Sequence, residues 1–425
     1  MVAELSVQYT DTANIPGIDG LRVRGDRLLQ RLDELAQIGA IAGGGVCRLT
    51  LTDADKAGRD QVVQWMRDLG LSITIDGIGN IVGTWPGTED LPPVMTGSHI
   101  DTVATGGRYD GNFGVLGGLE VIQTLQEAGI RPRHPLAVAV FTNEEGARFH
   151  PDMMGSMVYT GSLSLAEALA TTTNVGTTVE EELRRIGYQG DAPCGNPSVH
   201  AFAELHIEQG PVMEQDSVTI GAVTGVQGMS WMEYTVKGVS NHAGTTPMRL
   251  RHDAGYAAMA IALAARELTK EMGGNQVATV GSIRLHPNLV NVIPNTAVFT
   301  LDLRNTDELR LQEAERRMAE KIGAIAQAEG VEITARPLVR LRPVDFDPAM
   351  IDLVETTAQT LGFSTKRLPS GAGHDAGLLA AVCPTAMIFV PSVHGISHNV
   401  KEYTAPEDLI AGANVLLHTL LQLAL

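Results

Sequence analysis

The chain has 425 residues and a mass of 45.2 kDa, more than one hydrophobic core usually serves, so two or three domains are expected. Hydrophobic residues at 44% and charged ones at 19% form an ordinary globular mix, which excludes a wholly disordered, collagenous or coiled-coil chain. Lys and Arg number 31 against 49 Asp and Glu, and the resulting charge of −18 has the wrong sign for a nucleic acid or an anionic membrane, while 4% aromatics offer few base-stacking platforms.

The opening stretch MVAELSVQYTDTANIPGIDG lacks the basic flank and apolar core of a signal peptide. From 25 to 41 the apolar residues Leu28, Leu29, Leu32, Leu35 and Ile38 follow a helical period, and 60–69 repeats it with Val62, Val63, Met66 and Leu69. Short apolar runs bounded by Gly and Pro at 71–75, 81–84 and 94–97 read as strands. A helix is expected over 114–128, and LAVAVFT at 136–142 suits a strand buried on both faces. This alternation predicts an α/β fold, a mostly parallel sheet with helices on both faces.

Between 221 and 339 the texture changes. An alternating run at 232–236, an Ala-rich helix at 253–268, strands at 279–285 and 297–303 and a charged helix at 308–328 follow the β-α-β-β-α-β order of a ferredoxin-like module. A helix at 350–361, a strand at 385–390 and a helix at 406–423 then complete the first domain. The expected organisation is a larger domain, 1–220 with 340–425, interrupted by an α+β module at 221–339. The longest apolar stretches, such as 378–390 with Pro384 inside it, are too short for a bilayer span. Cys47, Cys194 and Cys383 are far apart and suit buried thiols in a reducing compartment, so a cytoplasmic location is expected.

Five segments place ligand-type side chains after an apolar strand or in a loop, where open α/β sheets gather their sites. VMTGSHIDTVATGGRYDGNFG carries His99, Asp101 and Asp110. FTNEEGARF closes the run LAVAVFT with Glu144 and Glu145, two carboxylates that need a cation or hydrogen bonds if the strand end is buried. AFAELHIEQGPV holds Glu204, His206, Glu208 and Gln209, SGAGHDAG holds His374 and Asp375, and VPSVHGISHNVKEY holds His394 and His398. Taken singly, His99 and the last three segments suit structural hydrogen bonds or solvated loops as well. Together, imidazole and carboxylate without thiolate suit zinc, manganese, cobalt or nickel, and a shared carboxylate can hold two such ions about 3.5–4 Å apart. GxxxxGK[ST] and GxSxG do not occur, nor does a strand followed by GxGxxG and an acidic ribose partner.

The segments GSHIDTV, GGRYDG, FTNEEGARF, ELHIEQGP, NHAGTTPM, NVIPNTAVFTLDLR, GAGHDA and HGISHNVKEYT, in this order from His99 to Tyr403, resemble the amidase/hydantoinase/carbamoylase branch of the dinuclear-metal aminoacylase and carboxypeptidase superfamily. Within it the chain is most similar to N-carbamoyl-L-amino-acid hydrolases, with β-ureidopropionases and allantoate amidohydrolases close behind. The resemblance implies two divalent ions per subunit: His99 and His206 on one, Glu145 and His398 on the other, Asp110 bridging. It implies Asp101 orienting the His99 ring, Glu144 as general base and acid, and Gln209 holding a ureido group.

In the inserted module the resemblance implies that His242 reaches a neighbouring subunit's site to stabilise an oxyanion, that Asn291 and Arg304 bind a substrate carboxylate, and that a homodimer forms through that module. A bidentate Arg suits a carboxylate, although a strand-end ion pair is equally compatible with Arg304. Many peptidases of the superfamily carry a carboxylate where His206 stands, which favours a carbamoylase over an aminoacylase or dipeptidase. A non-catalytic binding protein would have no need of Glu144. The expected substrate is a small anionic N-carbamoyl amino acid.

Overall fold

The computed structural model describes residues 20–195 and 197–425, so all but the last residue of the opening stretch read against a signal peptide lies outside the described residues. The chain divides into two compact units, one ending at Gly225 and resuming at Asp345, the other Val226–Val344.

In the larger unit the strands lie in the spatial order Ser72–Ile75, Ile81–Trp85, Leu136–Phe141, Val94–His99, Ala201–Ile207, Thr385–Val390 and Ile220–Val226, with Thr365–Ser370 also paired to the last. The four central strands from Leu136–Phe141 to Thr385–Val390 are parallel, while Ser72–Ile75 with Ile81–Trp85, Ile81–Trp85 with Leu136–Phe141 and Ile220–Val226 with Thr385–Val390 pair antiparallel. Every residue of those four is buried, so both faces of the sheet are covered. Helices Asn112–Glu127 and Pro406–Ala424 pack on these strands, and the second is apolar nearly all round, as a helix enclosed by other elements must be.

Local chemistry accounts for most departures from the expected boundaries. The helix expected at 60–69 starts at Asp53, where Thr52 caps it by accepting the Asp55 N–H. Val179–Ile186 is a short helix closed by a capping box between Thr178 and Glu181, too brief for periodicity to reveal.

Two buried arginines brace the carboxyl ends of the strands. Arg48 donates through Nε to the Ile100 carbonyl at 2.7 Å, through Nη1 to Leu35 and Ile38, and through Nη2 to Asn112 Oδ1 at 2.6 Å. Arg59 pairs with Asp55 at 2.8 Å and reaches the Gly79 carbonyl and Thr142. Arg48→Met would strand several buried acceptors, at about 3–5 kcal/mol in sum, and should lower the melting temperature by roughly 5 °C in a thermal scan. An unchanged melting temperature would contradict this bracing role.

In the smaller unit the strands lie in the order Glu332–Leu341, Gly228–Lys237, Thr296–Asn305, with Val277–Thr279 and Ile283–His286 both on the far side of the last, all antiparallel. The single strand expected at 279–285 is thus two short ones interrupted around Gly281. Ala297, Phe299, Leu301 and Leu303 alternate into a core with Ala257, Ile261 and Leu268 of helix Ala254–Met272 and with Leu311 and Met318 of helix Glu308–Glu329.

Candidate active site

The parallel register sets the site. His99 ends its strand opposite Phe141, two residues before Asn143, and His206 lies opposite Phe389 near the end of the neighbouring pair. Glu144 and Glu145 therefore emerge beside His99, and the loop carrying His398 leaves from the strand next to His206. Asn143, Gln209 and His398 have φ of 60°, 58° and 52°, left-handed values that concentrate strain around these side chains. Gly111, at φ 65°, follows Asp110, and a Cβ there would come within 2.4 Å of His99 Nε2, so only glycine permits this turn.

Asp110 is divided between two groups. Its Oδ1 lies 3.2 Å from His206 Nε2 and 3.8 Å from His99 Nε2, and its Oδ2 lies 3.3 Å from His398 Nε2, which is itself 3.2 Å from Glu145 Oε2. Glu144 Oε2 is 3.4 Å from His99 Nε2. His99 Nδ1 donates to the Asp101 carbonyl at 2.9 Å and His206 Nδ1 to the Ile207 carbonyl at 2.8 Å. Those bonds assign the proton of each neutral ring to Nδ1 and leave both Nε2 atoms facing a carboxylate oxygen, with the Gly111 N–H also 3.3 Å from His206 Nε2. Acceptors converging on one another call for a proton or a cation between them. Two imidazoles and a carboxylate on one side, and an imidazole and two carboxylates on the other, form donor sets that fit divalent ions.

The electrostatics point the same way. Burial pushes the Glu144 carboxyl well above the usual range, and the charges of Asp375, Glu145, Asp110 and Asp101 add to it. Burial and Asp110 push Glu145 up to about 10. Burial also works against ionisation of Asp110, but His206 and His398, when their rings carry a second proton, hydrogen-bond to it, outweigh that burial and hold the carboxyl well below its ordinary value. Among the described residues, no Lys or Arg pairs with these three carboxylates; their ion-pair partners are histidines. Such a cluster is costly unless a cation neutralises it.

Asp101 does hold the His99 ring, but through its carbonyl. Its carboxylate, with Oδ1 3.9 Å from His99 Nδ1, instead accepts the backbone N–H groups of Glu144 and Glu145 at 3.3 and 3.4 Å and so ties the second ligand loop to the first. Gln209 Nε2 donates to Asp110 Oδ2 at 2.9 Å, and its Oε1 is buried without a hydrogen-bond partner. Behind His206, the His374 ring stands edge-on at 4.5 Å with its Nε2 2.9 Å from Ser370 Oγ, and Glu204 accepts from Ser98 Oγ and the Ala376 N–H. His394 is apart from this group, on an exposed turn beside Glu214.

The smaller unit carries the other three expected residues. His242 and Val292 form an antiparallel bridge, and Ala243 N–H donates to the Asn291 carbonyl, so the His242 and Asn291 segments adjoin. His242 Nδ1 accepts the N–H groups of Gly244 and Thr245 at 3.1 and 3.2 Å, which assigns its proton to Nε2 on an exposed side chain. Arg304 stacks over Trp231 with its guanidinium carbon 5.7 Å from the ring centre, and donates through Nε to both oxygens of Asp302. The strand-end ion pair compatible with the sequence is therefore present.

A parallel sheet whose strand ends gather imidazoles and carboxylates around one shared aspartate defines, together with the likenesses that follow, a hydrolase acting on carbon–nitrogen bonds. The chain belongs to peptidase family M20/M25/M40, whose profile matches residues 95–422. It is similar to the N-carbamoyl-L-amino-acid amidohydrolase of Rhizobium meliloti, with 42% identity over 96% of this chain and 98% of the relative. The ureidoglycolate hydrolase of Arabidopsis thaliana is 37% identical over 95% of this chain and 88% of its own. A crystal structure of an amidase of the hydantoinase/carbamoylase family from Burkholderia multivorans superposes with a TM-score of 0.93 at 46% identity, covering 95% of this chain and 98% of the other. The chain is thus an amidohydrolase of that branch. Among the described residues no helix is long and apolar enough to cross a membrane.

Proposed function

We propose that the chain hydrolyses N-carbamoyl-L-amino acids at the ureido carbon–nitrogen bond, releasing the amino acid, carbon dioxide and ammonia, with two divalent ions bound. The observation that carries this reading is the division of Asp110 between His99 with His206 and His398 with Glu145, with Glu144 alongside. His99, His206 and Asp110 would hold one ion, and Asp110, Glu145 and His398 the other; zinc, manganese, cobalt and nickel all suit these donors. When bound, the ions supply Lewis acidity toward the ureido carbonyl and lower the pKa of water.

Glu144 takes the proton of the attacking water and returns it to the departing nitrogen, and the carbamic acid formed falls apart to carbon dioxide and ammonia. A carboxylate 3.4 Å from His99 Nε2, beside the reacting centre, is placed to serve both transfers. His242 offers its Nε2–H to the developing oxyanion from the inserted unit of a partner subunit, within a homodimer built through that unit. Arg304 and Asn291 take the substrate carboxylate, and the unpartnered Gln209 Oε1 accepts a ureido N–H.

The similarity to a ureidoglycolate hydrolase supports one second reading, the same chemistry on ureidoglycolate, an α-ureido acid with a hydroxyl where an amino acid carries its side chain. The test is chelated protein re-fed zinc, manganese, cobalt or nickel and assayed on N-carbamoyl-α-amino acids, N-carbamoyl-β-alanine, allantoate, ureidoglycolate and N-acetyl amino acids. The highest kcat/KM is expected on N-carbamoyl-L-α-amino acids. Highest turnover of ureidoglycolate would select the second reading, and activity confined to acetyl substrates would overturn both.

A further inference from the structure

The loop that follows strand Thr385–Val390 also carries Ser397 and Glu402, which lie in the segment HGISHNVKEYT without a role implied for either. Glu402 is 5% exposed. Its Oε1 accepts the backbone N–H groups of Tyr109 at 3.0 Å and Asp110 at 3.2 Å, and its Oε2 accepts from Ser397 Oγ at 2.9 Å. Ser397 directly precedes His398, and its hydroxyl also lies 3.2 Å from Asp110 Oδ2, the oxygen that faces His398. Gln209 Nε2 donates to the same hydroxyl at 3.2 Å.

The approach is close. A Cβ at residue 107 would fall 2.0 Å from Glu402 Oε1, so the turn leading to Asp110 admits this carboxylate only because Gly107 is glycine. Seating a carboxylate here is costly in itself, since it is buried near Asp110, a second buried carboxylate, and its hydrogen-bond partners are two main-chain N–H groups and a hydroxyl. Packing alone gives no reason to place one there. What it accomplishes is geometric: two ligand loops, with Asp110 and Glu402 292 positions apart, are joined through one side chain.

We propose that Glu402 is a positioning residue of the dinuclear centre, fixing the main chain of Asp110 and, through Ser397, the Asp110 oxygen that faces His398. The inference rests on the two-ion reading above. Without this clamp, Asp110 can turn away from its division between the two ligand sets, and the ion held by Asp110, Glu145 and His398 weakens first. Gln at 402 preserves the arrangement, because its carbonyl accepts both N–H groups and its amide donates to Ser397 Oγ, freeing that hydroxyl to donate to Asp110.

The test is ion binding in competition with a chromogenic chelator, using zinc or manganese, on the full-length wild type, Glu402→Gln, Glu402→Ala and Ser397→Ala, with melting temperatures of the chelated forms as the control for folding. Partners of this kind typically set about 10–100-fold in metal affinity. The expected result is a loss in that range for one ion in Glu402→Ala, near-wild-type binding in Glu402→Gln, and a smaller loss in Ser397→Ala, with chelated melting temperatures unchanged. Wild-type affinity in Glu402→Ala, or a Gln variant as weak as the Ala one, overturns the inference while leaving the proposed function standing. If Glu402→Ala does not fold, Ser397→Ala decides: weakened binding supports the clamp and unchanged binding overturns it. A wild-type chain that binds no divalent ion overturns the two-ion reading itself.

Discussion

Glu144→Gln should lower kcat by about 10³-fold on the best N-carbamoyl substrate, within the usual range for a general acid–base group, while both ions stay bound. The reasoning starts from position. Glu144 sits three residues past a buried strand, 3.4 Å from His99 Nε2, and its backbone N–H is held by Asp101. Gln keeps the shape and the hydrogen-bonding oxygen, so the fold and the ligand set should survive. It cannot take a proton, so the step that activates water and the step that protonates the leaving nitrogen both lose their shuttle. The measurement pairs steady-state kinetics with metal analysis of the same sample. Near-normal turnover with two ions bound would remove Glu144 from this role.

The neighbouring Glu145 should behave differently, and the contrast shows what was legible in the sequence. Two adjacent glutamates after LAVAVFT announced a site, because a strand buried on both faces leaves no cheap reason for a carboxylate pair at its end. His99 and His206 are readable for a similar reason: each ends or nearly ends a strand whose every residue is buried. Which glutamate faces His99 and which faces His398 depends on the turn at Asn143 and on the Asp101 carboxylate, neither of which has a sequence signature.

The braces were illegible for a stronger reason. Arg48 and Glu402 look like ordinary solvated charges in their own segments, and only contacts spanning 52 and 292 positions reveal what they hold. Of the strands outside the parallel core, 71–75 and 81–84 were readable, but IGAVTGV and TKRLPS were not, because they carry Gly, Pro or charge and tertiary pairing rather than propensity makes them strands. Charge is the case where composition points away from the proposed substrate. A net −18 repels an anion, yet part of that acidity is the buried cluster around Asp110, which draws in cations rather than facing solvent.

The second large effect belongs to His242. The N–H groups of Gly244 and Thr245 fix its ring as an Nε2–H donor, an arrangement that needs no protonation to stabilise an oxyanion. His242→Ala should therefore reduce kcat by about 10²–10³-fold, as loss of one oxyanion donor does, with KM moved far less. Whether the donor serves its own chain or a partner's can be read by mixing two inactive variants, Glu144→Gln and His242→Ala, under conditions that exchange subunits. If His242 acts across a homodimer, each mixed dimer pairs an intact Glu144 with an intact His242 at one of its two sites, and random pairing makes about a quarter of all sites active. If it acts within its own chain, no site in the mixture holds both groups and activity stays at the level of the parents. The trans arrangement predicts the first outcome, and a strictly monomeric active enzyme in sedimentation would exclude it.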